Sequence, residues 1–116
     1  MSFEVQKEGQ YAIVHTKVEK LHSLNAPDLK SELVILIKSG VKNVIVDMGD
    51  TRYCDSSGLS ALLTGNRMCK EVEGSFILSA LQPPVAKLVS ISQLDSVFKI
   101  VSTKEEAVDM VTMERI

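Results

Sequence analysis

The sequence has only two cysteines and lacks a long apolar run. Cys54 and Cys69 form neither a Cys-x-x-Cys pair nor a Cys/His cluster, so the ligand spacing of a zinc site and that of a thiol-redox site are both missing. The longest strictly aliphatic run, 33–37, has five residues, whereas a membrane span needs about 20 and the core of a signal peptide about 7 to 15. We therefore expect a cytoplasmic protein with two reduced thiols, no metal, no cofactor and no segment inserted in a membrane.

An excess of charge of one sign is also missing. Thirteen Lys and Arg residues stand against fifteen Asp and Glu residues, which gives a formal net charge of −2. This balance lacks the basic excess with which proteins bind nucleic acid. The 116 residues, 45% hydrophobic and 24% charged, suit one globular domain with its own core and are too few for two. We expect a single domain over residues 1–116 and no nucleic-acid partner.

The apolar pattern predicts an initial β-hairpin and then alternating strands and helices. Apolar residues alternate with polar ones on both sides of a Gly-containing turn, at Phe3, Val5, Glu8-Gly9, Tyr11, Ile13 and His15. Further strands are predicted at 44–46, 76–78 and 97–101. Helices are predicted from an N-cap at Asn25 to Gly40, from Ser57 to about Val72, from Pro83-Pro84, and from a capping box of Thr103 with Glu106. Such alternation requires an α/β fold with a mostly parallel sheet that carries helices.

An acid and two hydroxyls precede the second predicted helix, in the loop that follows the strand at 44–46. Asp55, Ser56 and Ser57 lie where free backbone N–H groups and the helix dipole stabilise negative charge, on a carboxylate or on a phosphate. Gly58, in the first turn, leaves room for another backbone or for a partner. On spacing alone, plain capping of the helix is the favoured interpretation.

The same loop lacks the companions that an enzyme needs. No Gly-rich phosphate loop, no Gly-x-Ser-x-Gly nucleophile elbow and no base accompanies Ser56. The two histidines, His15 and His22, lack a third metal ligand and are interpreted as a strand side chain and a loop residue. A serine that accepts a phosphate needs none of these groups, because the kinase supplies them. We therefore expect a binding protein and not an enzyme.

Four segments of the chain form a set. They are the strand with its acid, Val44–Asp47, the loop Tyr53–Leu59 with its Asp-Ser-Ser-Gly-Leu string, the helix opening Asn25-Ala26, and Ser92–Phe98 before the last strand. With them the chain resembles, over nearly its whole length, the STAS domain, the fold of bacterial anti-sigma factor antagonists of the sporulation and stress-response type. The resemblance implies a single STAS-type α/β domain with an N-terminal hairpin and a mixed, mostly parallel sheet.

The resemblance also implies a function and its residues. In that family, the serine directly after the acid is phosphorylated by a partner that is both a serine kinase and an anti-sigma factor, and a metal-dependent PP2C-type phosphatase removes the phosphate. Unphosphorylated members bind the kinase and release the sigma factor, whereas phosphorylated ones do not bind. The phosphoacceptor would be Ser56. Partner contacts would lie at His22, Asp55, Ser56, Ser57, Gly58 and Leu59.

His22 marks a departure from the family pattern. Many antagonists have an acid beside the phosphorylation loop, at the end of a Gly-Glu-Leu-Asp string, where this chain has Glu19–His22. The departure leaves a second interpretation open. In it, the domain is not phosphorylated and serves as a scaffold or as a cytoplasmic subunit of a signalling or lipid-transport assembly.

Overall fold

Two sheets and four helices make up residues 3–113, the part of the chain that the computed structural model describes. In chain order the strands are β1 (Phe3–Glu8), β2 (Tyr11–Thr16), β3 (Lys20–Leu21), β4 (Asn43–Asp47), β5 (Tyr53–Cys54), β6 (Phe76–Ser79) and β7 (Lys99–Val101). The helices are α1 (Ala26–Lys38), α2 (Ser56–Glu71), α3 (Pro83–Ile91) and α4 (Lys104–Met113). Apart from the short strands β3 and β5, helices and strands alternate after an initial hairpin, as predicted.

The main sheet has the strand order β1-β2-β4-β6-β7. β1 and β2 pair antiparallel, with Val5 opposite Val14, and Gly9 takes the left-handed backbone conformation (φ 65°) at their tight turn. β2, β4, β6 and β7 run parallel to one another. The predicted hairpin and the mixed, mostly parallel α/β sheet are therefore confirmed.

Alternate residues of the parallel strands face opposite sides of the sheet. One buried cluster joins α4 to three isoleucines that the strand register aligns, Ile13, Ile45 and Ile77. The larger cluster joins α1, α2 and α3 to the other side, at Val14, Val46 and Leu78. Because the central strands are covered on both sides, the run at 44–46 is continuously apolar instead of alternating.

Asn25 does not cap α1 with its side chain. Its backbone is already helical (φ −116°, ψ −12°) and the side chain bonds to the preceding segment. Oδ1 accepts from the backbone N–H of His22 at 2.9 Å, and Nδ2 donates to the carbonyl of Lys20 at 2.9 Å. Asn25 therefore occupies the predicted N-cap position, and its carbonyl accepts from the N–H of Leu29, but its side chain ties the start of α1 to β3 instead of capping the helix.

The last strand is shorter than the predicted 97–101. The N–H groups of Val97 and Phe98 both donate to the carbonyl of Leu94, at 3.0 Å, which forms a turn instead of a sheet ladder. Phe98 is nonetheless buried, and its ring centroid lies 6.2 Å from that of Phe76. Its hydrophobicity therefore reflects core packing and not strand pairing.

A second, two-stranded sheet was not predicted. β3 and β5 pair in parallel, with Lys20 opposite Tyr53 and Leu21 opposite Cys54. Each strand has two residues, too few for an alternating pattern. This small sheet joins the segment before α1 to the loop before α2.

Two absences hold for residues 3–113. None of their helices combines the length and the apolar character that a membrane crossing requires. No group of three or more His, Cys, Asp or Glu side chains among them is arranged to hold a metal ion.

Candidate functional site

The loop before α2 ends in a capped helix start. Asp55 has an extended backbone (φ −105°, ψ −173°), and its Oδ1 accepts from the backbone N–H of Gly58 at 3.0 Å. Its carbonyl accepts from the N–H of Leu59, also at 3.0 Å. The capping role of Asp55 is therefore confirmed. α2 begins at Ser56, one residue before the predicted start.

Ser56 is exposed as the first residue of α2, beside the exposed Asp55, while Ser57 is half-buried. The hydroxyl of Ser56 makes no hydrogen bond to any of residues 3–113. The first N–H groups of a helix have no acceptor within the helix, and the Asp55 side chain accepts from only one of them. A group attached to the Ser56 oxygen would thus meet solvent and the positive end of the helix dipole without displacing core atoms.

The small sheet brings His22 next to Asp55. The N–H of Asp55 donates to the carbonyl of Leu21 at 3.1 Å, so that the residue after β3 and the residue after β5 lie side by side. Both His22 and Asp55 line a groove of about 460 Å³, together with Lys20, Leu21, Tyr53 and Cys54. Nδ1 of His22 accepts from the backbone N–H of Leu24 at 3.1 Å, which fixes the ring.

Gly58 and Leu59, for which the resemblance implies partner contacts, face inward in this structure. Both are buried, and Leu59 is only 7% exposed. A Cβ at Gly58 would lie 2.7 Å from the carbonyl oxygen of Leu21 and 2.7 Å from Sγ of Cys54. The missing side chain therefore makes room for the chain's own β3, so these two residues support the loop from beneath.

A cleft of about 300 Å³ lies on the other side of Ser56, between the first turns of α1 and α2. Hydroxyls of both segments line it, from Ser23, Ser56, Ser57 and Ser60. Lys30 is the cation of this cleft, and it has no ion-pair partner in the described part of the chain. The cleft is thus suited to negative charge placed on Ser56.

The two thiols are free and unreactive in character. Burial, and secondly the charge of Asp55, raise the pKa of Cys54 to about 12. Burial also raises the pKa of Cys69 to about 12, against a smaller opposing effect of a backbone hydrogen bond with Val44. Because the thiolate is the nucleophile and the metal ligand, Cys54 is placed at the groove as a neutral, largely apolar group.

Two polar pairs near the loop were not predicted. Nδ1 of His15 lies 3.0 Å from Oδ2 of Asp47, because these residues are register partners at the ends of the parallel strands β2 and β4. The buried hydroxyls of Thr16 and Thr51 lie 2.7 Å apart, and Thr51 also donates to the carbonyl of Val18 at 2.8 Å. In the sequence, these pairs were indicated only by polar residues at the carboxyl ends of adjacent parallel strands. Together the pairs fix the chain that leads from β4 into β5.

Comparison with known proteins is consistent with this geometry. The family model described as the STAS domain matches residues 2–107. BtrV of Bordetella bronchiseptica, a protein named as an anti-sigma factor antagonist, is 31% identical over 87 residues, which is 75% of each chain. An anti-sigma factor antagonist (STAS) domain protein of Planctomyces limnophilus is 21% identical with a TM-score of 0.85, over 95% of this chain and 97% of that one. The phosphorylated form of the Bacillus cell fate determinant SpoIIAA is 22% identical with a TM-score of 0.74, over 94% and 98%.

Proposed function

The chain belongs to the STAS domain family, and we propose on that basis that it is a bacterial anti-sigma factor antagonist controlled by phosphorylation of Ser56. It acts in the cytoplasm by binding a partner that is both an anti-sigma factor and a serine kinase. It contributes a surface and a phosphoacceptor and performs no catalysis itself. The observation that carries the proposal is the exposed, unbonded hydroxyl of Ser56 at a helix start that Asp55 caps.

The site can carry a phosphate without unfolding. A phosphate on Ser56 adds about −1.5 to −2 charge at pH 7. The free N–H groups of the first turn of α2 and the cation of Lys30 across the cleft both favour that charge. The two helices need not separate, because Ser56 is exposed before the modification.

The same charge would prevent binding. A partner packed over Ser56 would have to remove water from the phosphate and from Asp55 together, and the burial of unpaired like charges is unfavourable. Unphosphorylated protein therefore binds and phosphorylated protein dissociates, with the fold unchanged. A PP2C-type phosphatase would restore the binding form by removing the exposed phosphate.

The first test concerns the phosphoacceptor. The purified protein is incubated with Mg-ATP and the candidate serine kinases of its own organism, and modified peptides are mapped by mass spectrometry. We expect one phosphate, lost in Ser56→Ala and kept in the matched control Ser57→Ala. Phosphate found only on Ser57, or on neither serine, would overturn the assignment.

The second test concerns the switch. Calorimetric titration with the kinase that modifies Ser56 should give at least tenfold weaker binding after phosphorylation, while the thermal midpoint stays within a few degrees, because one charge at a helix N-terminus is worth only about 0.3–1 kcal/mol. Equal binding by the two forms would contradict the proposal.

The scaffold interpretation makes the opposite prediction. If the domain is an unmodified subunit of a larger assembly, Ser56→Ala and Ser56→Asp should retain the same partners as the parent protein. Pull-downs with both variants therefore separate the two functions.

A further inference from the structure

Tyr53 is an exposed aromatic residue with two cations near its ring. Its side chain is 45% exposed although it lies in β5. Nζ of Lys20 lies 6.0 Å from the ring centroid and Cζ of Arg52 lies 5.9 Å from it, both within reach of a cation–π interaction. These three residues are called the Tyr53 patch below.

The two cations of the Tyr53 patch are available. Neither has an ion-pair partner within residues 3–113, where Asp50, the acid that precedes this strand, is instead 3.6 Å from Lys17. The ring contact holds both side chains near one place, which reduces the conformational entropy that a new ion pair would cost. The Tyr53 patch therefore presents positive charge in a position ready for carboxylates.

The groove beside the Tyr53 patch is uneven in charge. Lys20 and Tyr53 lie opposite each other at one end of its lining strands, and buried Leu21 and the neutral thiol of Cys54 provide apolar surface. Asp55, next to Ser56, lies with His22 at the other end. An occupant that is complementary to this groove carries carboxylates over the cations, an apolar side chain over the thiol, and no negative charge at the Asp55 end.

From this charge pattern we propose that the groove receives an acidic segment with apolar side chains, supplied by the anti-sigma partner, whose carboxylates bind Lys20 and Arg52. This inference rests on the proposed function for the identity of the partner. It also explains how a phosphate on Ser56 would oppose binding. The phosphate adds negative charge at the end of the groove where an acidic segment is least tolerated.

The test uses a defined probe that needs no kinase. A capped octapeptide of alternating Glu and Leu is titrated into ¹⁵N-labelled protein, with a Lys/Leu octapeptide as the matched control. We expect amide shifts centred on residues 20–22 and 53–55, affinity that falls as salt rises, and no such shifts with the basic peptide. Equal binding of both peptides, or shifts elsewhere, would overturn the proposal.

Charge reversal supplies the second arm. The double variant Lys20→Glu with Arg52→Glu should bind the acidic peptide at least tenfold more weakly, with an unchanged circular-dichroism spectrum. Lys70→Glu, an exposed change in the last turn of α2, should stay within twofold of the parent. Ser56→Asp should weaken the binding of the acidic peptide severalfold, because the added carboxylate repels those of the peptide.

The outcomes separate the two proposals. If a kinase phosphorylates Ser56 but charge reversal leaves the affinities of the kinase and of the acidic peptide unchanged, the Tyr53 patch is not the docking surface and the proposed function stands. If no kinase modifies Ser56 but the acidic peptide binds at the Tyr53 patch, the proposed function fails and the acidic specificity of the groove stands.

Discussion

Gly58 offers the sharpest test of how the loop is supported. Helix propensity alone predicts that Ala or Val at this position is neutral or favourable, because glycine is the poorer helix former by about 1 kcal/mol. The structure reverses that expectation. A Cβ at Gly58 would meet the carbonyl oxygen of Leu21 and Sγ of Cys54, both at 2.7 Å, and Cγ of Leu21 at 2.9 Å.

The contact with the carbonyl decides the magnitude. A thiol can rotate away, but the carbonyl oxygen of Leu21 is held because it accepts the N–H of Asp55 at 3.1 Å. Overpacking of this kind costs about 1–3 kcal/mol, and the gain in helix propensity offsets at most about 1 kcal/mol of it. We expect Gly58→Ala to lower the free energy of unfolding by about 1–2 kcal/mol, and Gly58→Val by more.

Thermal and urea unfolding followed by circular dichroism measure this loss. For a domain of this size the midpoint should fall by about 4 °C per kcal/mol. Ser60→Ala, an exposed change in the same turn of α2, is the control and should stay within about 0.5 kcal/mol of the parent. Adding Cys54→Ala to Gly58→Ala should recover only part of the loss. A Gly58→Ala protein as stable as the parent would refute the reasoning.

Three further predictions concern the cap, a buried hydroxyl and the thiols. Asp55→Ala should lower the free energy of unfolding, measured in urea, by about 1 kcal/mol, because a backbone N–H of α2 loses its acceptor. Asp55→Ser should recover most of this loss. Thr51→Val should cost about 1–3 kcal/mol, because the buried hydroxyl of Thr16 loses its partner at 2.7 Å, and an unchanged midpoint would contradict this. Burial raises the pKa of Cys54 and of Cys69 from the usual 9.0 to about 12, so iodoacetamide at pH 8 should alkylate the native thiols on the order of 1,000-fold more slowly than the unfolded ones. Because the unfolded state loses these protons first, stability should fall as the pH rises from about 9 to about 12, and less so in Cys54→Ala.

The sequence alone was sufficient to predict every helix and strand whose core-facing pattern extends over several residues. Leu29 and Leu33, one turn apart in the predicted first helix, are both fully buried. A glycine inside a predicted helix is itself a sign of close packing, and a Cβ at Gly65 in α2 would lie 2.6 Å from the ring of Phe76 and 2.9 Å from Leu33. Such features are local in sequence, so periodicity and residue type reveal them.

The small sheet could not be predicted because its information is not local. Two residues cannot show an alternating pattern, and β3 and β5 are recognisable only once α1 and β4 have brought them together. The side-chain bonds of Asn25, at the predicted N-cap position, have the same origin. Its type and its place before Pro27 suit an N-cap, but its side chain instead bonds the backbone of Lys20 and His22, on the approach to the helix.

The small sheet also connects the parts of the candidate site. One carbonyl, that of Leu21, accepts the N–H of Asp55 and lies where a side chain at Gly58 would stand, so β3 supports both the cap of α2 and its first turn. The groove at Tyr53 and the start of α2 at Ser56 are therefore linked by one continuous set of backbone hydrogen bonds. The phosphate proposed for Ser56 would therefore act on this surface through its charge, because the hydroxyl is already exposed and the cap of α2 can stay in place.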